Sequence, residues 1–389
     1  MNISRTDDSV FAQWWFTVDR VLLAAILVLL GGGLVLSLAA SPAMAVKRGL
    51  PVFYYAQRHA LFAVAGAMLV IGLSWLSPRT MRWGSLIALG VCLALLAAVP
   101  WIGPEINGAR RWLRLAGHSI QPSELAKPAF IVVSAWLFAE SQQRRGMPAI
   151  PLALALFAAL ATLLVLQPDI GQTLLITVVW GAMFFISGMP LSWAAGFVGL
   201  GAAGLAGAYA TFGHVRDRID RFLNPALGDT YQMDRALQAI REGGLFGRGA
   251  GEGTVKTVLP DAHTDFIFAV IAEEYGALTC LAVIGVFVFV TLRAFARALD
   301  AEDAFQRNAI IGLTLLFAVQ AGINMAVNAG LLPAKGMTLP FISHGGSSML
   351  ALAATMGLLV GLARGPRSGL ASQGAAAIRT IGHAERTVW

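Results

Sequence analysis

Residues 20–42 read RVLLAAILVLLGGGLVLSLAASP, and this stretch decides which class of fold the chain can adopt. It carries no charged residue after Arg20, and a helix needs about 20 mostly apolar residues to cross a bilayer. Residues 41–45, SPAMA, resemble a signal-peptidase site. The apolar run is nevertheless longer than the roughly 7–15 residues of a signal peptide, so we interpret it as an uncleaved membrane anchor.

The rest of the chain has the same apolar character. Of its 389 residues, 57% are hydrophobic and 13% are charged, and the mean hydropathy is +0.70. Soluble domains average about 25% charged residues, which excludes a soluble globule, a disordered chain, a coiled coil and a secreted disulfide scaffold. We predict an all-α polytopic membrane protein whose membrane domain, residues 20–363, contains ten spans. These are 20–42, 57–76, 82–101, 123–140, 150–167, 170–187, 190–210, 265–292, 306–329 and 340–363.

An even number of spans puts both tails on one side of the membrane. We expect residues 1–19 and 364–389 in the cytoplasm and the long loop 211–264 in the periplasm. The positive-inside rule does not decide this orientation, since 13 of the 28 Lys and Arg residues then lie inside and 15 outside. Outer cations such as Lys335 are explained if they bind an anion there. The net charge of +7 therefore points to membrane lipids or a phosphate-bearing lipid rather than to nucleic acid.

The first of four polar segments is NGARRWLRL at 107–115, followed by QPSELAK at 121–127. Arginine grips phosphate bidentately and lysine acts as a point charge, so Arg111 and Lys127 are candidates for a diphosphate site. The alternative is an interfacial segment with snorkelling arginines and an ion pair within one helix, because Glu124 and Lys127 lie three residues apart.

The second and third segments place carboxylates near predicted helix starts. QPDIGQ at 167–172 most simply marks a tight turn that holds Asp169. LPDAHTDFIFAVIAEE at 259–274 closes the long loop, and long loops in compact proteins are often functional. Thr264 is expected to cap the following helix, with Asp265 in its first turn.

The fourth segment, LLPAKGMTLPFISHGGSS at 331–348, contains two prolines and three glycines at membrane depth. Irregular backbone is tolerated there only when it is buried in protein or lines a wet cavity. Charges inside an apolar run are likewise paired or functional, and we expect structural pairing for the two glutamates that end the third segment. Structural or cavity-lining roles therefore fall to Glu273, Glu274, Ser343, His344, Gly345 and Gly346.

Taken together, the four segments resemble those of the SEDS family (FtsW, RodA and SpoVE), which are polytopic cell-wall glycosyltransferases. The matching stretches are NGARRW with QPSELAK, QPDIG, GGLFGRGAGEGTVK with LPDAHTDFIFAVIAEE, and LLPAKGMTLPFISHGGSS. They follow one another in the family's order, and the family also has ten spans. The GEGTVK and SHGGSS stretches and the charged N-terminal tail are closer to the division branch of the family than to the elongation branch.

The resemblance implies polymerisation of lipid II at the periplasmic face of the bacterial inner membrane, for septal wall synthesis. It also implies a class B penicillin-binding protein, a single-span transpeptidase, as partner, together with other division proteins. The family's catalytic carboxylate falls on Asp265, and its motif arginine and lysine fall on Arg111 and Lys127, with Glu124 beside them. Pro128 departs from the aliphatic residue usual in the family and is expected to kink the helix that carries Lys127.

The implied reaction inverts the anomeric carbon, because an α-linked donor gives a β-linked product. Such a displacement takes one base for the acceptor hydroxyl and cationic groups for the departing undecaprenyl diphosphate. Asp265 is the candidate base or, alternatively, a ligand of a divalent Mg or Mn ion. Cys92 and Cys280 provide no zinc-ligand spacing. The substrate-binding candidates are Arg111, Lys127, Glu124, Lys335 and His263.

Three alternatives to a division polymerase stay open. They are a lipid II flippase, a polymerase of the elongation branch, and a non-catalytic scaffold for the transpeptidase. A flippase is expected to place essential charges in both halves of the bundle. The charges described above gather at one face, which favours chemistry at the membrane surface.

Overall fold

A computed structural model describes residues 9–106, 109–115, 117–143, 146–190, 192–211, 213, 216, 219–220, 231–333 and 336–365 of the chain. The predicted site residue Lys335 and most of the predicted C-terminal tail lie outside them. The described elements are, in chain order, α1 (Val10–Thr17), α2 (Arg20–Lys47), α3 (Tyr54–Ser74), α4 (Pro78–Ile102), the antiparallel strands β1 (Leu113–Leu115) and β2 (His118–Ile120), α5 (Pro122–Gln143), α6 (Ala149–Leu166), α7 (Ile170–Ile186), α8 (Ser192–Thr211), α9 (Tyr231–Gly243), a 3₁₀ turn (Val255–Thr257), α10 (Ile267–Leu299), α11 (Ala304–Asn328) and α12 (Gly346–Leu362).

Each of the ten predicted spans overlaps one helix, from α2 to α8 and from α10 to α12. Within the described residues, seven of these helices are long and apolar enough to cross a membrane: α2, α3, α4, α6, α8, α10 and α11. Two more, α7 and α12, are apolar but have only 17 residues each. The all-α polytopic fold is therefore confirmed, whereas the number of ten crossings and the sidedness of tails and loop stay predictions.

Several boundaries differ from the predicted ones by a few residues, and three of the differences have local reasons. α2 runs through Pro42 to Lys47, because a membrane helix tolerates the one backbone hydrogen bond that proline removes. α12 begins at Gly346 instead of near residue 340, since the preceding residues form irregular backbone held by tertiary hydrogen bonds. The predicted tail 1–19 contains the short helix α1.

The centre of the bundle consists of α5, α11 and α12, which are largely buried. α12 packs against α3, and α11 packs against both α5 and α10. In contrast, α3, α4 and α8 expose apolar side chains such as Leu61, Ile87 and Val198, which an apolar bilayer accommodates without cost. The buried centre therefore lies inside the helix bundle, and its rim is built to contact lipid.

Short connections make consecutive helices antiparallel, and this ordering collects the polar segments at one end. α5, α7, α10 and α12 begin at that end, which we call the outer end, and α4, α6 and α11 finish there. All four polar segments connect or begin these helices. The fold thus brings together motifs that lie far apart in sequence.

At the opposite, inner end an ionic contact joins α2 to α10. The buried Asp19 carboxylate caps α2 by accepting the N–H groups of Val21 and Leu22, at 3.1 Å each. It also pairs with Arg293 at 2.9 Å and with Arg297 at 2.5 Å, both from the end of α10. This contact fixes the inner half of α10 in the bundle.

α10 is interrupted at Gly276, whose φ of 80° and ψ of 175° are not helical. The break frees backbone carbonyl groups, which must find partners because lipid supplies none. Those of Glu273 and Glu274 accept hydrogen bonds from the N–H groups of Arg248 and Gly249, at 2.9 and 3.0 Å. The glycine-rich stretch of the long loop therefore enters the break and completes it.

The two glutamates beside the break fasten this stretch with their side chains as well. The Glu273 carboxylate accepts the N–H groups of Val255 and Lys256, at 2.7 and 2.9 Å. The Lys256 ammonium pairs with Glu274 and also donates to a backbone carbonyl of α2 at 3.1 Å. All these side chains are buried, so Glu273 and Glu274 hold the loop against the helix.

Replacing Gly276 by Ala is expected to destabilise the protein. A Cβ there would lie 2.3 Å from the carbonyl oxygen of Leu245, and the left-handed backbone itself costs about 1–3 kcal/mol. Gly285, in the same helix with nothing within 4 Å of its Cβ position, supplies the matched control Gly285→Ala. Thermal unfolding in detergent should show a clear decrease in melting temperature for Gly276→Ala only; equal behaviour of both variants would contradict the break as described.

Candidate functional site

Asp265 lies at the outer end, two residues before the start of α10, the helix that follows the long loop, and it is half-buried. Its backbone carbonyl accepts hydrogen bonds from the side-chain amides of Asn324 and Asn328, at 2.9 Å each. Its N–H donates to the carbonyl of Asp261 at 3.1 Å. The backbone that carries the carboxylate is thus held from both sides.

The predicted cap of this helix is wrong. α10 begins after Phe266 without a side-chain cap, and the Thr264 hydroxyl donates instead to the carbonyl of Asp261 at 3.2 Å. The N–H of Ala269 donates to the side chain of Asn328 at 3.0 Å. The side-chain amide of Asn328 in α11 therefore accepts an N–H group of the first turn in place of the Thr264 hydroxyl. Asp265 lies before this first turn and not within it.

The fourth segment wraps around the same loop. The Ser343 hydroxyl accepts the N–H of Leu339 at 2.7 Å and donates to the carbonyl of Thr264 at 2.5 Å. The N–H of His344 donates to the carbonyl of His263 at 2.9 Å. Gly345 and Gly346 follow at the start of α12. These residues shape the backbone beside Asp265.

Lys127 is buried in a cluster of four polar side chains. Its ammonium pairs with Glu124 at 2.9 Å and donates to Gln172 at 2.9 Å and to Gln320 at 3.1 Å. Gln172 in turn donates to Glu124 at 2.5 Å. The helix continues through Pro128. The lysine charge is therefore neutralised within α5 and enclosed by amides from α7 and α11.

Arg111 meets the second polar segment at the same end. Its guanidinium donates to the carbonyl groups of Gln167 and Pro168, at 3.0 and 2.6 Å. Burial raises the pKa of Asp169, and the charge of Arg111 opposes that shift. The Asp169 carboxylate accepts a hydrogen bond from Gln121 at 3.1 Å. The hydrogen-bond partners of Arg111 are thus neutral oxygens, and its charge also acts on the neighbouring Asp169 carboxylate.

A row of amides on α11 connects Asp265 to the cluster around Lys127, which consists of Glu124, Lys127, Gln172 and Gln320 and which we call the lysine cluster. Gln320 contacts Lys127, and Asn324 contacts the Asp265 carbonyl. The two lie one helical turn apart, about 6 Å along the axis, and Asn328 continues the row. These three amides were not predicted from the sequence, although polar side chains four residues apart in an apolar span indicate one functional face.

His263 belongs to a neighbouring ring cluster and not to the lysine cluster. Its ring lies 4.9 Å from that of Tyr55 and 5.8 Å from that of His344, and Arg48 donates to the Tyr55 hydroxyl at 2.7 Å. Burial, aided by Arg48 and opposed by Asp261, lowers the pKa of His263 to about 4. The imidazole is therefore neutral near pH 7, and a substrate-binding role for it stays a prediction.

The fold and the site together define a polytopic helical membrane protein with a half-buried carboxylate, Asp265, and the lysine cluster at one end of its bundle. Residues 20–367 match the model of a family described as cell cycle protein, FtsW/RodA/SpoVE. The chain therefore belongs to the FtsW/RodA/SpoVE family.

Individual relatives agree with this family. A Caulobacter vibrioides protein named "Probable peptidoglycan glycosyltransferase FtsW" is 46% identical over 362 residues, which cover 93% of each chain. A Trichlorobacter lovleyi protein of the same name is 37% identical over 363 residues, covering 89% of this chain and 93% of the relative. Such relatives place the chain among the glycosyltransferases.

Solved structures show the same fold. A chain from "Structural coordination of polymerization and crosslinking by a peptidoglycan synthase complex" superimposes with a TM-score of 0.73 and 28% identity, covering 89% of this chain and 97% of that chain. The rod shape determining protein RodA of Thermus thermophilus gives a TM-score of 0.64 with 28% identity, covering 90% and 97%.

The ring cluster makes stability depend on pH. An unfolded histidine has a pKa of about 6.5, so between about pH 6.5 and 4 the unfolded chain binds a proton that folded His263 does not. Stability must then decrease as the pH falls through this window, by about 2 kcal/mol at pH 5. Melting temperatures at pH 7.5 and 5 should show the decrease, and His263→Gln should reduce it; an equally steep decrease in that variant would exclude His263 as the source.

Proposed function

We propose that the protein polymerises lipid II into glycan strands, with Asp265 as the catalytic carboxylate. The observation that supports this most directly is the placement of Asp265. Its carboxylate is half-buried, its backbone is fixed by Asn324 and Asn328, and one turn of α11 separates those contacts from Lys127. A base and cationic groups within reach of one substrate are what the reaction needs.

In the proposed step, the sugar 4-hydroxyl of one lipid II molecule attacks the anomeric carbon of a second lipid-linked glycan, the carbon that bears the undecaprenyl diphosphate. The new bond joins that oxygen to the carbon, while the bond from carbon to phosphate oxygen breaks. The hydroxyl proton passes to the Asp265 carboxylate, and undecaprenyl diphosphate leaves with the electron pair. A general base of this kind contributes about 10²- to 10⁴-fold to the rate.

Arg111 is the stronger candidate for the departing diphosphate. Glu124 already neutralises Lys127, so the lysine cluster presents a dipole and not a net charge. The guanidinium of Arg111 is half-buried and bound by neutral carbonyl oxygens. It can still donate to an anion with its remaining N–H groups, of which an arginine has five.

A divalent metal ion would need ligands beyond Asp265. Within the described residues no group of three or more His, Cys, Asp or Glu side chains is arranged to hold a metal. An Mg or Mn ion bound by Asp265 would therefore take its other ligands from the diphosphate and water, in keeping with the preference of Mg²⁺ for such sites. When bound, the ion would neutralise charge on the leaving group.

The proposed setting is the septum, with the outer end in the periplasm and a class B penicillin-binding protein as partner. The names of the FtsW relatives and the synthase complex among the similar structures support it. The buried lysine cluster at membrane depth also suits a lipid II flippase, which is the second candidate.

Asp265→Asn should abolish polymer formation, because the isosteric amide cannot accept the proton. We expect a loss of at least about 100-fold in the polymerisation of labelled lipid II by the protein with its partner. Asp261→Asn is the matched control, since that exposed residue lies in the same turn at a φ of 51°, a conformation that asparagine tolerates. Normal polymer from Asp265→Asn would remove this residue from the mechanism, and lipid II crossing vesicle membranes without polymer would favour the flippase.

The role of Lys127 can be separated from its structural contribution. Lys127→Met alone leaves Glu124 charged and buried, which costs about 3–5 kcal/mol, so its melting temperature should fall. The double variant Glu124→Gln, Lys127→Met removes both charges and should keep a melting temperature near that of the wild type. We expect this double variant to polymerise lipid II at least about tenfold more slowly; wild-type activity would mean that the pair serves folding alone.

A further inference from the structure

A cavity of about 370 Å³ opens at the inner end of the bundle, where α1, the end of α3, the starts of α4 and α11 and the end of α12 meet. It lies at the opposite end of the helices from Asp265 and shares no residue with the site described above. Its volume falls in the range of small-ligand sites. The lining residues that define its chemistry are Trp14, Thr17, Trp75, Gln306, Arg364 and Gly365.

Arg364, which follows the end of α12, provides the charge of the cavity. Among the described residues that line it, no other side chain is charged. The guanidinium is half-buried and donates to the Thr17 hydroxyl at 3.0 Å and to the backbone carbonyls of Ser74 and Trp75, at 3.4 and 3.3 Å. These acceptors are uncharged, and within the described ranges no carboxylate pairs with Arg364. A bound anion would therefore supply the counter-charge that a half-buried guanidinium needs.

Two hydrogen-bonding groups remain open to such an anion. The Nη2 atom of Arg364, which carries two N–H groups, makes no hydrogen bond to a described residue. The side-chain amide of Gln306 likewise has no hydrogen-bond partner in the described part of the chain. Charge-assisted hydrogen bonds from a guanidinium are well matched to phosphate oxygens, and the amide adds a further donor. The cavity is therefore suited to a phosphate group.

An aromatic group borders the cavity on its α1 side. Trp14 and Trp75 line the cavity with their ring centroids 5.4 Å apart, and Phe11 lies 5.9 and 6.3 Å from these two rings. Trp75 and Phe11 are 41% and 44% exposed, and tryptophan is typical of the membrane interface. A soluble phosphate would leave these rings uncovered, whereas the glycerol and first acyl carbons of a phospholipid would cover them.

We infer that the cavity binds the phosphate group of an anionic phospholipid in the leaflet at the inner end. Arg364 neutralises the phosphate, Gln306 donates to it, and the rings of Trp75 and Phe11 cover the apolar carbons beside it. None of the described lining residues is acidic, so none compensates the ammonium group of a zwitterionic lipid. The cavity therefore favours a phospholipid with a net negative charge.

Native mass spectrometry of the purified, delipidated full-length protein, titrated with lipid, measures this preference. The probes are dioleoyl phosphatidylglycerol, dioleoyl phosphatidylethanolamine and dioleoylglycerol, which share their acyl chains and differ in the headgroup. Phosphatidylglycerol should bind most tightly and dioleoylglycerol least. Either of the other two lipids binding as tightly as phosphatidylglycerol would overturn the proposal. Displacement of phosphatidylglycerol by an equal concentration of glycerol 3-phosphate, which has no acyl chains, would also overturn it.

Removing the charge of Arg364 tests the phosphate contact. Arg364→Gln should weaken phosphatidylglycerol about fivefold, the contribution of one basic residue near a lipid surface, and should leave dioleoylglycerol unchanged. Arg20→Gln is the control, because Arg20 is an exposed inner-end arginine beside Trp15 and outside the cavity. An equal loss of affinity in Arg20→Gln would show a general effect of surface charge and would contradict a site at Arg364.

A substitution at Gly365 tests the cavity while keeping Arg364 and its hydrogen-bond partners. Gly365 lines the cavity, and a Cβ added there meets no atom within 4 Å, so both variants below should keep the wild-type melting temperature. Gly365→Glu brings a carboxylate next to Arg364 and should weaken phosphatidylglycerol at least about fivefold relative to Gly365→Gln, which has the same size without the charge. Wild-type affinity for phosphatidylglycerol in both Arg364→Gln and Gly365→Glu would refute the site.

Discussion

The outer end of the bundle depends on one constraint: polar groups at membrane depth must find their partners inside the protein. The amides of α11 meet it, because an amide can donate and accept at the same time. Gln320 accepts from Lys127 and donates to the carbonyl of Thr338, while Asn324 and Asn328 donate to the Asp265 carbonyl. One face of α11 thus contacts the lysine cluster, the loop before α12 and the backbone of Asp265. This shared face explains why the three features occur together.

The interruption of α10 follows from the same constraint. A continuous helix would leave the glycine-rich stretch of the long loop without backbone partners in the bundle, whereas the break at Gly276 exchanges hydrogen bonds with it. Glu273 and Glu274 then have a structural explanation, since they bind the backbone and side chain of the 3₁₀ turn at Val255–Thr257. Asp265 lies just before the first half of α10, which ends at the break. Asn328 holds this half near its start, and the glycine-rich stretch holds its end. These contacts fix the position of Asp265 although the helix is interrupted.

Much of the fold could be predicted from the sequence, and the reasons for the remainder are specific. Apolar runs of sufficient length identify spans whatever their surroundings, so each of the ten predicted ones coincides with a helix. The spacing of Glu124 and Lys127 indicated an ion pair, but their amide partners Gln172 and Gln320 lie 45 and 193 residues from the lysine, beyond the reach of any local pattern. The Thr264 cap was wrong because Asn328, distant in sequence, takes that place. The break at Gly276 was not predicted because its conformation depends on contact with the backbone of Leu245 and Gly247, about 30 residues earlier in the chain.

The order in which the chain is made gives the Glu124–Lys127 pair a second consequence. α5 leaves the ribosome before α7 and long before α11, so during biogenesis neither Gln172 nor Gln320 is present to enclose the two charges. A lone ammonium or carboxylate opposes transfer of a helix from the translocon into lipid, by up to about 2.5–3.5 kcal/mol when it lies at the helix centre and by less nearer the helix end, where Glu124 and Lys127 lie. Because the two charges compensate each other within a single turn, this part of the nascent helix can enter the membrane as a neutral pair, and the amides close around the pair once the later helices arrive.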